Sequence, residues 1–321
     1  MKWQLGLNFY SSKLCIFNPS DLDKKNVKDE IESDKYHIYM ICKRKKLFFE
    51  SSIPFEDDYI LTKLYWLNES HDKQYTNCRS SNDLKIHSVK DGYYNIDFKE
   101  NKNIFIKDYL MINNFFFLET DLIGTSVLEP IASDLEVMYI GQAFGRTSTK
   151  KIDYRLISHD KIQKIALEIL NNGSNEEVLI IGIKVEVNDL ATSFFTGDTD
   201  RTNFTLDSMK ELQKKASKRV TEGQEITIFE ASLIKFFQPK LNTEYKETFP
   251  SPDFSSYSEI YETDFDYSGL TVDTRPVCVR VFSKIVSEHK YLHHQHFPLL
   301  TKSDKKTLFE YLHEFAEIDN L

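Results

Sequence analysis

Five residues of this 321-residue chain have types and spacings that could do chemistry together: Tyr139, Arg155, His159, Glu230 and Asn242. Glu230 is the sharpest anomaly. It falls within the stripe Ile226, Phe229, Leu233, Ile234 and Phe237, the face that a helix over these residues would bury. A carboxylate there costs free energy unless it is paired or holds a metal ion. The plainer alternatives are a glutamate at the stripe's edge that reaches water, or one paired with a buried arginine. Arg155 and His159 are four apart, hence on one face of a helix. A guanidinium offers a planar fork to phosphate oxygens, and an imidazole can move a proton near neutral pH. A helix N-terminus itself favours an anion. The plainer alternative is an exposed first turn with a solvated His159. Tyr139 ends a strand, and Gly141 would let the chain turn sharply after it. Asn242 follows Pro239-Lys240-Leu241, where an asparagine ordinarily serves a turn.

These residues need elements to hold them. From about Asp153 the apolar period turns helical, with Ile162, Ile165, Ala166, Ile169 and Leu170 on one face. Asp153 can cap that helix, and Asn171-Asn172-Gly173 ends it. Val178 to Val185 is almost continuously apolar, as a central strand covered on both faces reads. A second helix spans Leu206 to Val220. Its outer face carries Lys210, Lys214, Lys215, Lys218 and Arg219, the densest positive surface and the expected phosphate contact. The plainer alternative is a solvated face. A third helix, Ile226 to Phe237, is stopped by Pro239. Ahead of Tyr139, Val127 to Ile131 and Glu136 to Ile140 are expected to pair as a hairpin.

Together the pieces resemble the GIY-YIG nuclease family. The order is Tyr-Ile-Gly (139–141), Arg-x-x-x-His (155–159), an apolar strand, Glu230 on a helix, then Pro-Lys-Leu-Asn (239–242). The resemblance covers roughly residues 112–250. It implies metal-dependent hydrolysis of DNA, in restriction, anti-invader defence or repair. Glu230 would hold one divalent ion, Mg2+ or Mn2+. Arg155 would steady the phosphate charge, and Tyr139 or His159 would position or deprotonate the attacking water. Asn242 would order the backbone around the site. The family has a further tyrosine on a strand shortly before Tyr-Ile-Gly. Residues 126–131 hold none, the nearest upstream is Tyr109, and Tyr154 is a candidate substitute in space. The alternative function is therefore a weakened or inactive protein of this fold that binds nucleic acid or another protein.

The expected fold class is α+β: a small antiparallel or mixed sheet flanked by helices over 112–250, an N-terminal mostly-β module over 1–111, and a C-terminal extension over 251–321. In the N-terminal module, strands from Lys35 and from Leu47 form a hairpin, with Lys43-Arg44-Lys45-Lys46 as a solvated turn. One helix is expected near Tyr59 to Leu67. Residues 247–274 contain no Lys or Arg and seven acidic residues, and read as an acidic linker. A strand over Pro276 to Leu292 and a helix over Lys305 to Ile318 close the chain.

The totals bound the rest. Net charge is −9, with 41 basic against 50 acidic residues, so binding DNA over the whole surface is excluded. Cys15, Cys42, Cys78 and Cys278 fit neither a zinc site nor a disulfide frame and read as reduced, mostly buried thiols. His289, His293, His294 and His296 match no ligand spacing and read as surface or interface histidines. No run approaches a membrane span, and the first residues lack a signal-peptide core, so a cytoplasmic protein is expected. Beyond DNA, the expected partner is a second copy or another protein, held through the N- or C-terminal segments.

Overall fold

The computed structural model describes residues 2–22, 29, 34, 36–49, 55–56, 59–68, 70–80, 84–90, 93–98, 102–107, 115–117, 134–143, 160–172, 175–194, 210, 214, 220–250, 255–263, 265–277 and 279–299. The chain is α+β. It begins with β1 (Lys2–Phe17) and β2 (Ile38–Lys45). Next come β3 (Phe48–Phe49), β4 (Phe55–Glu56), β5 (Tyr59–Leu67), β6 (Lys73–Ser80), β7 (Leu84–Lys90), β8 (Tyr93–Phe98), β9 (Lys102–Lys107) and β10 (Phe115–Phe117). Then follow β11 (Leu135–Gln142), α1 (Asp160–Asn171), β12 (Glu176–Phe194) and α2 (Glu222–Phe237). The described chain closes with β13 (Tyr267–Asp273), β14 (Val281–Phe282) and β15 (Leu292–Pro298).

A seven-stranded mixed sheet has the order β14-β11-β2-β12-β1-β13-β15. It draws strands from all three expected segments, so it runs across the expected boundaries at 111 and 250. The strands β3 to β10 form a five-stranded and a three-stranded sheet of their own. β2 lies between β11 and β12, antiparallel to both. β1 runs antiparallel to β12 and parallel to β13.

The apolar run from Val178 explains the centre of this sheet. Residues of β12 alternate between two cores. Leu179, Ile181 and Ile183 face α2, with Ile38, Met40, Ile140, Phe229 and Phe237. Val178 and Ile180 face α1, with Tyr39, Ile41, Met138, Ile165 and Ile169. A strand apolar on both sides is stable only with both faces covered, and each helix supplies one cover. No helix among the described residues is long and apolar enough to cross a membrane.

The helix α2 stops where the sequence places it, but it starts at Glu222 rather than Ile226. Gln238 takes a left-handed conformation (φ 45°), its N–H bonds Ile234 O at 2.8 Å, and Pro239 follows. At the other end Thr221 is extended, and its N–H donates to the Glu259 carboxylate at 2.8 Å. Glu259 N–H donates in turn to Gln224 Oε1 at 2.8 Å. An acidic group at a helix start also suits the helix dipole.

Several expectations are corrected. The acidic stretch is no linker: Ser255–Glu262 is a 3-10 helix against α2, and Tyr267–Asp273 is β13 inside the main sheet. Lys43 and Arg44 are not a solvated turn but part of β2. Lys43 lies between Glu136 and Glu176 on the flanking strands, 3.3 Å from each. Burial alone would lower its pKa, but those two carboxylates raise it above its ordinary value. Arg44 is buried and pairs with Glu177 at 2.8 Å. Charges that read as solvent-facing are thus matched across strands. Tyr59–Leu67 is the strand β5, in keeping with its aromatic and branched residues. The described partners of β11 are β2 and β14, and residues 127–131 lie outside the described residues. The expected strand from Pro276 is instead a 3-10 turn, the short β14, a turn, and β15. Helix α1 is described from Asp160, and the closing helix from Lys305 lies outside the described residues.

Candidate functional site

Tyr139, Ile140 and Gly141 occupy the second half of β11. A register shift between Val137 and Tyr139 sets which way their side chains point. Ile140 enters the core beneath α2, and Tyr139 packs against the core beneath α1. Gly141 sits opposite Tyr39 of β2. It is not a turn residue. A Cβ at Gly141 would lie 2.6 Å from the Tyr39 hydroxyl and 2.9 Å from the Tyr139 ring. The glycine is needed because two phenols lie over it.

Those two tyrosines form a pair. Their ring centroids are 6.2 Å apart, tilted by 36°. Burial pushes the Tyr139 phenol above its ordinary pKa, and the nearby Glu230 and Asp160 carboxylates push it further. A hydrogen bond from Tyr39 pulls the other way without reversing the shift. Tyr139 is therefore a protonated donor at neutral pH. Tyr39 is the functional candidate that sequence reasoning missed. Its signal was present, as a tyrosine within the apolar strand that begins at Ile38, but only the register of β2 on β11 brings it to Gly141.

Glu230 is half-buried rather than enclosed in the helix's buried face. Thr227, Phe229, Ala231, Ser232, Leu233 and Ile234 around it are buried, so the carboxylate emerges at the edge of a covered surface. Gln142, the last residue of β11, donates from Nε2 to Glu230 Oε2 at 2.9 Å. The same amide approaches Thr227 Oγ1 at 3.1 Å, and that hydroxyl donates to Gly223 O at 2.8 Å. The carboxylate is thus held in part by the neutral amide of Gln142.

Asn242 does what another backbone strand would do alongside β11. It accepts from Ile140 N–H at 2.9 Å and donates to Ile140 O at 2.8 Å. Leu241 N–H adds a bond to Met138 O at 3.1 Å. The Pro239-to-Asn242 turn therefore binds the strand carrying Tyr139 to the end of the helix carrying Glu230. Replacing Asn242 by Ala removes both bonds and buries two backbone groups without them. We expect this to cost about 2 kcal/mol of stability, near the middle of the range for unsatisfied buried groups, as a lowered midpoint in urea unfolding monitored by circular dichroism.

The structure brings Tyr139, Glu230 and Asn242 together at one end of β11. Arg155 and His159 lie outside the described residues, just before α1. Of the basic helix, Lys210 and Lys214 are helical and exposed, while Lys215, Lys218 and Arg219 lie outside the described residues. Among the described residues no group of three or more His, Cys, Asp or Glu is placed to hold a metal. Cys15 and Cys42 are buried thiols, and burial drives the Cys42 thiol well above its ordinary pKa. No family model, curated protein or solved structure matches the chain.

Proposed function

We propose that this chain is a divalent-metal-dependent endonuclease that hydrolyses DNA phosphodiester bonds, with a GIY-YIG-type site at the end of β11. The observation that carries this reading is the meeting of the Tyr-Ile-Gly strand with two later features, Glu230 on α2 bonded to Gln142 across 88 residues of chain and the Asn242 turn clasping Ile140 across 102. Tyr39 supports it further, as a second phenol on a neighbouring strand beside Tyr139.

In this reading Glu230 holds Mg2+ or Mn2+. One half-buried carboxylate suits an ion that takes one or two carboxylates and keeps several waters. When bound, the ion supplies positive charge at the leaving oxygen. The chain's own groups do the rest. Gln142 fixes one carboxylate oxygen of Glu230. Tyr139, protonated at neutral pH, donates a hydrogen bond to the attacking water or to a phosphate oxygen rather than serving as a base. His159 takes the water's proton, and Arg155 offers its fork to the phosphate. Lys210 and Lys214, with Lys215, Lys218 and Arg219, give the backbone of the DNA a basic contact. Restriction, anti-invader defence and repair are roles that such a cut could serve.

The test is plasmid nicking with Mg2+ or Mn2+. Wild type should nick, and Glu230→Ala and Arg155→Ala should not. The reading fails if wild type is as inert as both variants on duplex, single-stranded and branched DNA. A second reading, a binding scaffold on the same fold, is favoured by the Gln142 amide, which already occupies one oxygen of Glu230. That reading requires DNA or protein binding without any metal-dependent cleavage.

A further inference from the structure

A separate pair of side chains lies at the far edge of the main sheet. β15 is the last strand in the sheet order and runs antiparallel to β13. Its residues alternate. His293 is buried, with its ring 5.1 Å from that of Phe237 and its Nε2 2.9 Å from Val281 O. His294 and His296 therefore project from the opposite face. Their Nε2 atoms are 3.1 Å apart, and their rings stand at 88°. His294 Nδ1 lies 2.8 Å from Thr271 Oγ1, on the residue directly opposite it in β13.

We propose that His294 and His296 form a chelating site for a borderline divalent transition ion of the Zn2+, Ni2+ or Cu2+ class. Imidazole is the ligand these ions prefer, and Mg2+ is not. Two nitrogens 3.1 Å apart, each bonded at about 2.0–2.1 Å, enclose an angle of about 98° at the ion. That lies between the octahedral and tetrahedral values. Thr271 stands where an outer partner of a metal-bound histidine stands: in the tautomer whose Nδ1–H donates to its Oγ1, the His294 lone pair is on Nε2. Gly269, opposite His296, makes room for the Asn8 side chain beside that imidazole. A Cβ there would fall 1.9 Å from Asn8 Oδ1 and 3.3 Å from His296 Cδ2. The Tyr267 ring packs edge-on against His296 at 4.8 Å and fixes that imidazole. His294 is exposed, so water has access to the remaining coordination positions.

This site is independent of the Glu230 reading, since the pair projects from the sheet face opposite to α2. The test uses the full chain, stripped of metal, titrated with Zn2+ by calorimetry in excess Mg2+. Wild type should take one Zn2+ per chain at saturation. The double variant His294→Ala/His296→Ala should lose that binding, while His71→Ala, an exposed histidine elsewhere, should keep it. Thr271→Val leaves both imidazoles in place and should weaken binding by about 10- to 100-fold. Electron paramagnetic resonance of one equivalent of Cu2+ on wild type needs no variant, and should show coupling to two imidazole nitrogens. Absence of saturable Zn2+ binding, binding unchanged in the double variant, or a copper spectrum without two imidazoles each overturns the proposal.

Discussion

Glu230→Gln should leave the fold intact and lower metal-dependent nicking by at least about 100-fold, the scale on which loss of one transition-state charge contact is felt. The substitution is chosen for its geometry. A glutamine at 230 keeps an oxygen that can accept from Gln142 Nε2, so the hydrogen bond now measured at 2.9 Å can survive. What is lost is the negative charge that would hold the ion. Glu230 is half-buried at the rim of α2's covered surface, and the glutamine can keep the Gln142 bond, so stability should move by less than about 1 kcal/mol. Nicking rate against Mg2+ concentration, beside a urea unfolding curve, separates the two effects. Nicking that persists at the wild-type rate would remove Glu230 from the chemistry. A large loss of stability would make it a structural residue instead.

Arg280→Ala should destabilise the protein by about 3–5 kcal/mol, the cost of removing one partner from a buried ion pair. Arg280 and Asp134 are both nearly closed off from water, and two bonds of 2.8 and 2.7 Å join them. His289 Nδ1 sits 2.7 Å from the same carboxylate, with its ring stacked on Phe282 at 3.9 Å. The cluster ties the start of β11 to the C-terminal segment, where Leu135 N–H also bonds Arg280 O at 2.9 Å. Arg280→Ala leaves Asp134 charged and buried with only part of its bonding. The double variant Arg280→Ala/Asp134→Ala removes the orphaned charge too, and should recover part of the loss. Urea midpoints for the single and double variants decide this, and an Arg280→Ala cost under about 1 kcal/mol would contradict it.

By composition alone, the acidic stretch 247–274 with no Lys or Arg reads as a linker. Composition reports solvent preference averaged over a segment. It cannot register that Glu259 caps α2, or that β13 is flanked by β1 and β15. The basic run at Lys43 failed in the same way. A strand with matched carboxylates on both neighbours can carry charges inward, and only the neighbours reveal it.

The sequence by itself determined the local pieces of this protein: the body of helix α2 from Ile226 to its stop at Pro239, the two-faced strand from Val178, and the candidate residues Tyr139, Glu230 and Asn242. Each rests on a period, a cap or a polar residue in an apolar run, and those act within a few residues of one another. Tertiary structure decided which pieces meet. Tyr39 beside Tyr139, Gln142 on Glu230, Asn242 across Ile140, and His294 against His296 on an edge strand follow from strand register and helix docking. Many pairings of apolar strands satisfy the same local pattern. The one adopted is selected by how all the strands and both helices close their cores together.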